Sequence, residues 1–325
     1  MRINKNKKLK LLKEMLRIRQ IETSIAKKYK DQEMRCPVHL SVGQEAIAVG
    51  ICQNLNKKDK IVTAHRSHAH YLAKGGSLKK MIAELHGKVT GCAKGFGGSM
   101  HLIDLNSGVA AAVPIVGSTI PIGAGIAWAN KLNKKREEIV VIFFGDGATE
   151  EGVFFESLDF ASLHNLPILF VCENNNYSVY SHISKRQFKK RDLVKIGNSH
   201  GINSIRINGN SVEKVFLTSK KIIKKIRKYS KPYLIELETF RNLEHCGPNN
   251  DDNLNYRNIK YVNKWKKKCP LLMYKKQLQN NKILTNKNFE LFKKNIKTEI
   301  KNAFIFAKKS KFPKKSYLKK YIYAQ

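Results

Sequence analysis

The chain has 325 residues, with 62 lysines and arginines against 25 aspartates and glutamates, a formal charge of +37. An apolar share of 42% excludes a wholly disordered chain, and no unbroken apolar run approaches the ~18 residues that span a bilayer. The six cysteines (Cys36, Cys52, Cys92, Cys172, Cys246, Cys269) form no C-x-x-C pair and no disulfide-dense pattern. The basic opening MRINKNKKLK is followed by no cleavable apolar segment. The expectation is a globular, cytoplasmic protein without a membrane partner. So large a charge would suit nucleic acid or phosphorylated ligands. Yet the lysines are spread along the chain among many asparagines and isoleucines, and no nucleic-acid-binding signature accompanies them. No nucleic-acid partner is expected.

Residues 8–29 repeat apolar positions at Leu9, Leu12, Met15, Leu16, Ile18, Ile21 and Ile25, which is helical spacing. Residues 44–55 and 77–87 read as two more helices, the second capped by Ser77. GCAKGFGGSMH, residues 91–101, is too glycine-rich for a regular element. From residue 122 the texture changes. A small-residue helix, IGAGIAWANKL, leads into the strand IVVIFF (139–144), which GDG ends. A helix over 152–165 and a strand over 167–175 follow. SIRING ends in a turn signal at 208–209, residues 211–229 are helical, 233–239 form a strand, and the Lys-rich tail from 284 is helical in texture. Apolar strands alternating with helices predict an α/β fold, a mostly parallel sheet with helices on both faces. Helical N- and C-terminal extensions complete it, dividing the chain into a helical region 1–60, an α/β domain 61–270 and a helical tail 271–325.

Ligands of such sheets sit at the carboxyl ends of strands, where Gly145-Asp146-Gly147 and Asn174-Asn175 both fall. An acid at one strand end and an amide at the next can converge on Mg²⁺, which takes oxygen donors together with substrate phosphates. The glycines beside Asp146 let backbone N–H groups approach a phosphate at the start of the following helix. The bland reading is a tight strand-to-helix turn followed by an Asn-rich loop. The strand–helix–strand spacing makes the metal-diphosphate reading far more specific than GDG alone. His65, His68 and His70 form a weak zinc pattern, since no cysteine accompanies them.

The segment GDGATEEGVFFESLDFASLHNLPILFVCENNNYSVYS resembles the thiamine-diphosphate motif, in particular that of the alpha subunit of the decarboxylating component of 2-oxo acid dehydrogenases. His39-Leu40 with Gly43-Gln44-Glu45-Ala46, Thr63-Ala64-His65-Arg66-Ser67-His68, Gly91–His101, Ile115-Val116-Gly117, Glu236-Thr239-Arg241 and Tyr256-Arg257 extend the resemblance over nearly the whole chain. It implies a thiamine-diphosphate-binding fold. It also implies Mg²⁺ ligation by Asp146, Asn175 and the carbonyl of Tyr177. The diphosphate would be contacted at Gly145, Gly147, Ala148 and Arg66, with His65 where relatives commonly have Tyr. Val116 would bend the cofactor, and Pro114 would offer a carbonyl to the aminopyrimidine. His39 and His68 would line the substrate or phosphate channel, and His245 would face the reacting centre. The segment Asn242–Asp252 departs from the family pattern: Leu243 stands for a histidine, and Cys246 for the serine phosphorylated in mitochondrial relatives.

The resemblance further implies a beta subunit carrying the pyrimidine-binding domain and the activating glutamate, in an alpha-2 beta-2 heterotetramer. This chain holds the diphosphate-binding half alone, with no second doubly wound unit after residue 240. The leading expectation is decarboxylation of a small 2-oxo acid, pyruvate- or acetoin-type, with acyl transfer to a lipoyl acyltransferase. A carbon–carbon ligase or acyl-transfer role with the same cofactor is the runner-up, motivated by the altered loop. A basic nucleic-acid-binding or scaffold protein stands as the remote alternative.

Overall fold

The computed structural model describes residues 3–134 and 137–320; residues 1–2 of the expected N-terminal region and 321–325 of the expected tail lie outside the described residues. The chain opens with α1 (Lys5–Tyr29), α2 (Glu45–Cys52), β1 (Lys60–Ala64), α3 (His68–Lys74), α4 (Leu78–Leu85) and β2 (Val109–Val113). Next come α5 (Thr119–Leu132), β3 (Val140–Gly145), α6 (Gly152–Leu163), β4 (Ile168–Asn174) and the small hairpin of β5 (Tyr177–Ser178) and β6 (Ser181–His182). The remainder is α7 (Leu193–Ser199), β7 (Asn203–Asn208), α8 (Val212–Tyr229), β8 (Tyr233–Glu238), α9 (Ile259–Lys266), α10 (Pro270–Asn280), α11 (Asn286–Lys309) and α12 (Tyr317–Lys320).

The helices expected from periodicity form close to their expected bounds. In α1 the apolar stripe from Leu11 to Ile25 is buried, and the Asn4 side chain caps it by accepting the Lys7 N–H at 2.9 Å. Ser77 caps α4, accepting from the Lys80 N–H at 3.5 Å. Strands β1 and β2 were not expected. Each has only five residues, and VAAAV carries little apolar bulk or branching, so pairing rather than local pattern makes β2 a strand.

Six strands form one sheet in the order β2-β1-β3-β4-β8-β7, and every pair in it is parallel. Both faces are covered, and the side chains alternate accordingly. Val141, Phe143, Leu169 and Val171 point into a core shared with α1, α2, α8 and α11. Val140, Ile142, Phe144, Ile168 and Phe170 point into a second core with α5 and α6. Buried residues of α1 and α11 belong to the same apolar cluster as β3 and β4, so both ends of the chain pack on one face of the sheet. No described helix is long and apolar enough to cross a membrane. All strands run the same way, so their carboxyl ends lie along one edge, and the loops leaving them share one rim.

Candidate functional site

The loops after β1, β2, β3, β4 and β8 open onto one cleft of about 710 Å³, open mouth included. Its lining includes His65, Arg66, Val116, Asp146, Asn175 and His245, contributed by these loops. Gly145, Gly147, Ala148 and Tyr177 line it as well. Expected site residues from positions 65 to 245 therefore meet in one place.

Strands β3 and β4 run side by side with Gly145 opposite Glu173, which sets Asp146 and Asn175 next to each other beyond the pair. Asp146 is buried, and burial pushes its carboxyl up while the Arg186 guanidinium pulls it down. Its Oδ2 accepts from Arg186 Nη2 at 2.6 Å. The Asn175 Oδ1 accepts the Tyr177 N–H at 3.1 Å, and its Nδ2 donates to Gln44 Oε1 at 3.4 Å. Asn176 between them takes the left-handed conformation at φ 68°, so the chain turns sharply between Asn175 and Tyr177, and both line the cleft. Carboxylate, amide oxygen and peptide carbonyl are all hard oxygen donors, so the set fits a small divalent cation. The glycines fit a phosphate group beside it. A Cβ on Gly145 would meet nothing within 4 Å, and one on Gly147 would approach Ser178 Oγ at 3.0 Å. A side chain at Gly147 would thus crowd the cleft wall, whereas Gly145 has room around it.

His65 and His245 line the other side of the cleft, and the buried His39, outside that lining, packs against both rings. The ring centroids of His39 and His65 are 4.8 Å apart, and His245 stands 5.2 Å from each. All three are held well below their ordinary value of 6.5, first by burial and next by the Arg66 guanidinium: His39 to about 3, His65 to about 4 and His245 to about 2. At neutral pH they are uncharged donors and acceptors. Nδ1 of His39 is buried with no hydrogen-bond partner. Three neutral rings facing Arg66 and Arg241 favour an anionic ligand over a cation.

Arg66 itself is buried. Its Nη1 donates to Leu40 O at 2.6 Å and its Nη2 to His245 O at 3.0 Å, so it fastens the His245 loop to the residues before α2. That loop is fastened again where Gly247 N donates to Val38 O at 2.8 Å, with Gly247 at φ +124°. The unusual acidic run also serves as an anchor. Asp251 is buried and accepts from Arg257 and from the Tyr256 hydroxyl, while Arg241 Nη2 donates to the same hydroxyl at 2.8 Å. The departure from the family pattern thus builds the support of the loop that carries His245.

One expected channel residue lies elsewhere. His68 is fully buried behind the cleft wall, with Nδ1 2.8 Å from Glu22 Oε1 and Nε2 2.7 Å from Ser99 Oγ. Both ring nitrogens are engaged, so His68 ties α1, α3 and the 91–101 loop together and has no atom left for a substrate. Pro114 follows β2 directly and brings Val116 to the cleft without being part of its lining. His70, read from the sequence only as part of a weak zinc pattern, lines the cleft. It stacks on Phe143 at 4.0 Å, bonds Thr63 Oγ1 through Nδ1 at 2.8 Å and faces Glu173 at 3.3 Å. Sequence reading also passed over Glu84. Its buried carboxylate accepts four backbone N–H groups, from Ala93, Gly95, Gly97 and Gly98, at 2.8–3.0 Å. The glycine-rich stretch is an ordered loop wrapped around one carboxylate. The single signal was the acid at the end of the preceding helix.

Comparison with known proteins decides the family. The model of the dehydrogenase E1 component matches residues 13–316. The chain belongs to the dehydrogenase E1 component family. This E1 chain is 34% identical over 309 residues to the pyruvate dehydrogenase E1 component subunit alpha of Rickettsia felis, covering 95% of this chain and 93% of that protein. It is 33% identical over 328 residues to the chloroplastic pyruvate dehydrogenase E1 component subunit alpha-3 of Arabidopsis thaliana, across 99% of this chain and 76% of the relative. The alpha subunit of acetoin:2,6-dichlorophenolindophenol oxidoreductase from Bacillus subtilis is 35% identical over 243 residues, 75% of this chain and 72% of its own length. This E1 chain is a 2-oxo acid dehydrogenase alpha subunit, an oxidoreductase chain that works with a beta subunit. Its family depends on thiamine diphosphate. The ligase and scaffold alternatives are not favoured.

Proposed function

We propose that this chain holds the diphosphate end of thiamine diphosphate through Mg²⁺ and presents it to a small 2-oxo acid of the pyruvate or acetoin class. What supports this reading is that Asp146, Asn175 and Tyr177 line one cleft at the ends of β3 and β4, together with Gly145 and Gly147. Bound there, the cofactor supplies an acidic carbon that adds to a 2-oxo group and stores the electron pair left by decarboxylation. The chain's own residues position and neutralise. Arg66 and the neutral imidazole of His65 face the diphosphate, Gly145, Gly147 and Ala148 offer it backbone, and Val116 packs under the ring system. Pro114 contributes its carbonyl. His39 and His245, uncharged, hydrogen-bond the substrate's carboxylate or carbonyl and move a proton there. The altered loop is compatible with this assignment: Asp251 and Asp252 accept from Arg257, Glu244 accepts the Asn249 N–H, and none of the three lines the cleft.

The proposed assembly is an alpha-2 beta-2 heterotetramer in which a beta subunit supplies the pyrimidine-binding half and the activating glutamate. Ile115 and Val116 stand 69% and 45% exposed at the cleft rim, an apolar edge suited to burial by a partner. The acyl group passes to a lipoyl acyltransferase. Six unpaired cysteines suit a cytoplasmic location. The test is calorimetric titration of thiamine diphosphate in the presence and absence of Mg²⁺. Asp146→Ala should keep its fold and lose the Mg²⁺-dependent binding. Undiminished binding would remove the metal assignment.

A further inference from the structure

Arg186 is a residue that neither the family resemblance nor the proposed chemistry uses. It follows β6 and the single turn Ile183–Lys185, with its side chain largely buried at 13% exposure. Its Nη2 donates to Asp146 Oδ2 at 2.6 Å, its Nη1 to Glu150, and its Nε to Ser181 O at 3.3 Å. Nη1 also stands 3.6 Å from the place a Cβ on Gly147 would take, so the guanidinium borders the glycine backbone of the cleft. Neighbours secure the same segment: Gln187 Nε2 donates to Glu150 Oε1 at 2.7 Å, and Arg191 Nη1 to Thr149 Oγ1 at 2.9 Å. A fixed cation therefore sits on the very carboxylate proposed as a metal ligand.

We propose that Arg186 competes with the divalent cation for Asp146 and so sets the metal affinity of the chain. The inference rests on the reading of Asp146 as a metal ligand. A guanidinium and a divalent ion on one buried carboxylate repel each other at short range, where solvent screens little. Metal binding through Oδ2 thus requires Nη2 to leave that oxygen. Glu150 gives the guanidinium a second acid to rest on, so it can release Asp146 without becoming an unpaired buried charge. The metal alone meets this repulsion in full. A metal carried in with a diphosphate meets less of it, because the anion's charge offsets the guanidinium. Arg186 thereby makes the chain a poor site for free divalent ions and a good one for the metal–diphosphate complex.

Mn²⁺ alone, followed by electron paramagnetic resonance on the full chain without cofactor, tests this directly. Removing the competing charged hydrogen bond with Arg186→Gln should tighten Mn²⁺ binding about tenfold. Arg186→Lys, which keeps the charge, should stay near the parent value. Glu150→Gln, which takes away the alternative acid, should weaken binding, and should do so less when combined with Arg186→Gln. Asp146→Asn should abolish binding in every background. An Arg186→Gln chain that binds Mn²⁺ no more tightly than the parent, with Asp146→Asn still abolishing it, overturns the competition and leaves the metal site standing. Binding that survives Asp146→Asn removes the metal site, and the competition with it.

Discussion

His39, His65 and His245 stay uncharged because burial and two nearby guanidiniums oppose their protonation. The consequence for stability has a definite sign. Each takes up protons near 6.5 when unfolded but only near 2 to 4 when folded, so the unfolded chain binds more protons in between. Stability from these sites is complete above pH 6.5 and declines as pH falls toward 4. Thermal unfolding followed from neutral pH downward should show the parent chain losing more stability than His65→Asn; equal losses would contradict the burial of a neutral ring. At the same cleft, His245→Ala should lower 2-oxo acid turnover roughly a hundredfold with the cofactor still bound. That Asp146, Asn175, Arg66 and His245 share one cleft was legible in the sequence, since all four fall in loops after strands. Positions whose role depends on distant partners were not. His68 reads as a channel residue until Glu22 and Ser99 are seen to occupy its ring, and Arg186 reads as one more basic residue until Asp146 is beside it.

At the scale of elements, the parallel sheet places the site by itself, because every loop leaving a carboxyl end reaches the same rim. The long apolar strands β3, β4 and β8 and the periodic helices announce themselves. Strand β1, only five residues long, and β2, equally short and small in side-chain volume, are fixed by pairing with each other and, for β1, with β3. The 91–101 loop is the clearest case of order without a periodic signal. One carboxylate, Glu84, replaces the hydrogen bonds a helix or strand would have supplied to four N–H groups. Glu84→Gln turns an acceptor into a donor facing part of that set, and should cost about 3 kcal/mol. The expected reading is a lowered urea midpoint at unchanged slope. A midpoint equal to the parent's would mean that the loop holds itself together without Glu84.

Over the whole molecule, the apolar faces of α1, α8 and α11 and the wholly buried α2 join the sheet in one continuous core, while the outer faces of α1, α8 and α11 carry much of the lysine excess. Part of the +37 charge thus sits on solvated helix surfaces. The fold class and the family were legible at this scale because the motifs are spread over most of the chain. The identity of the 2-oxo acid was not, because in the proposed assembly a beta subunit contributes part of the pocket. The most direct measurement is 2-oxo acid oxidation with an artificial electron acceptor, in the presence of thiamine diphosphate and Mg²⁺, for the chain alone and for the chain co-purified with a beta-type subunit. Turnover by the complex and none by the isolated chain is the expected result. Turnover by the isolated chain, or a complex that binds no cofactor, would contradict the division of the active site between two subunits.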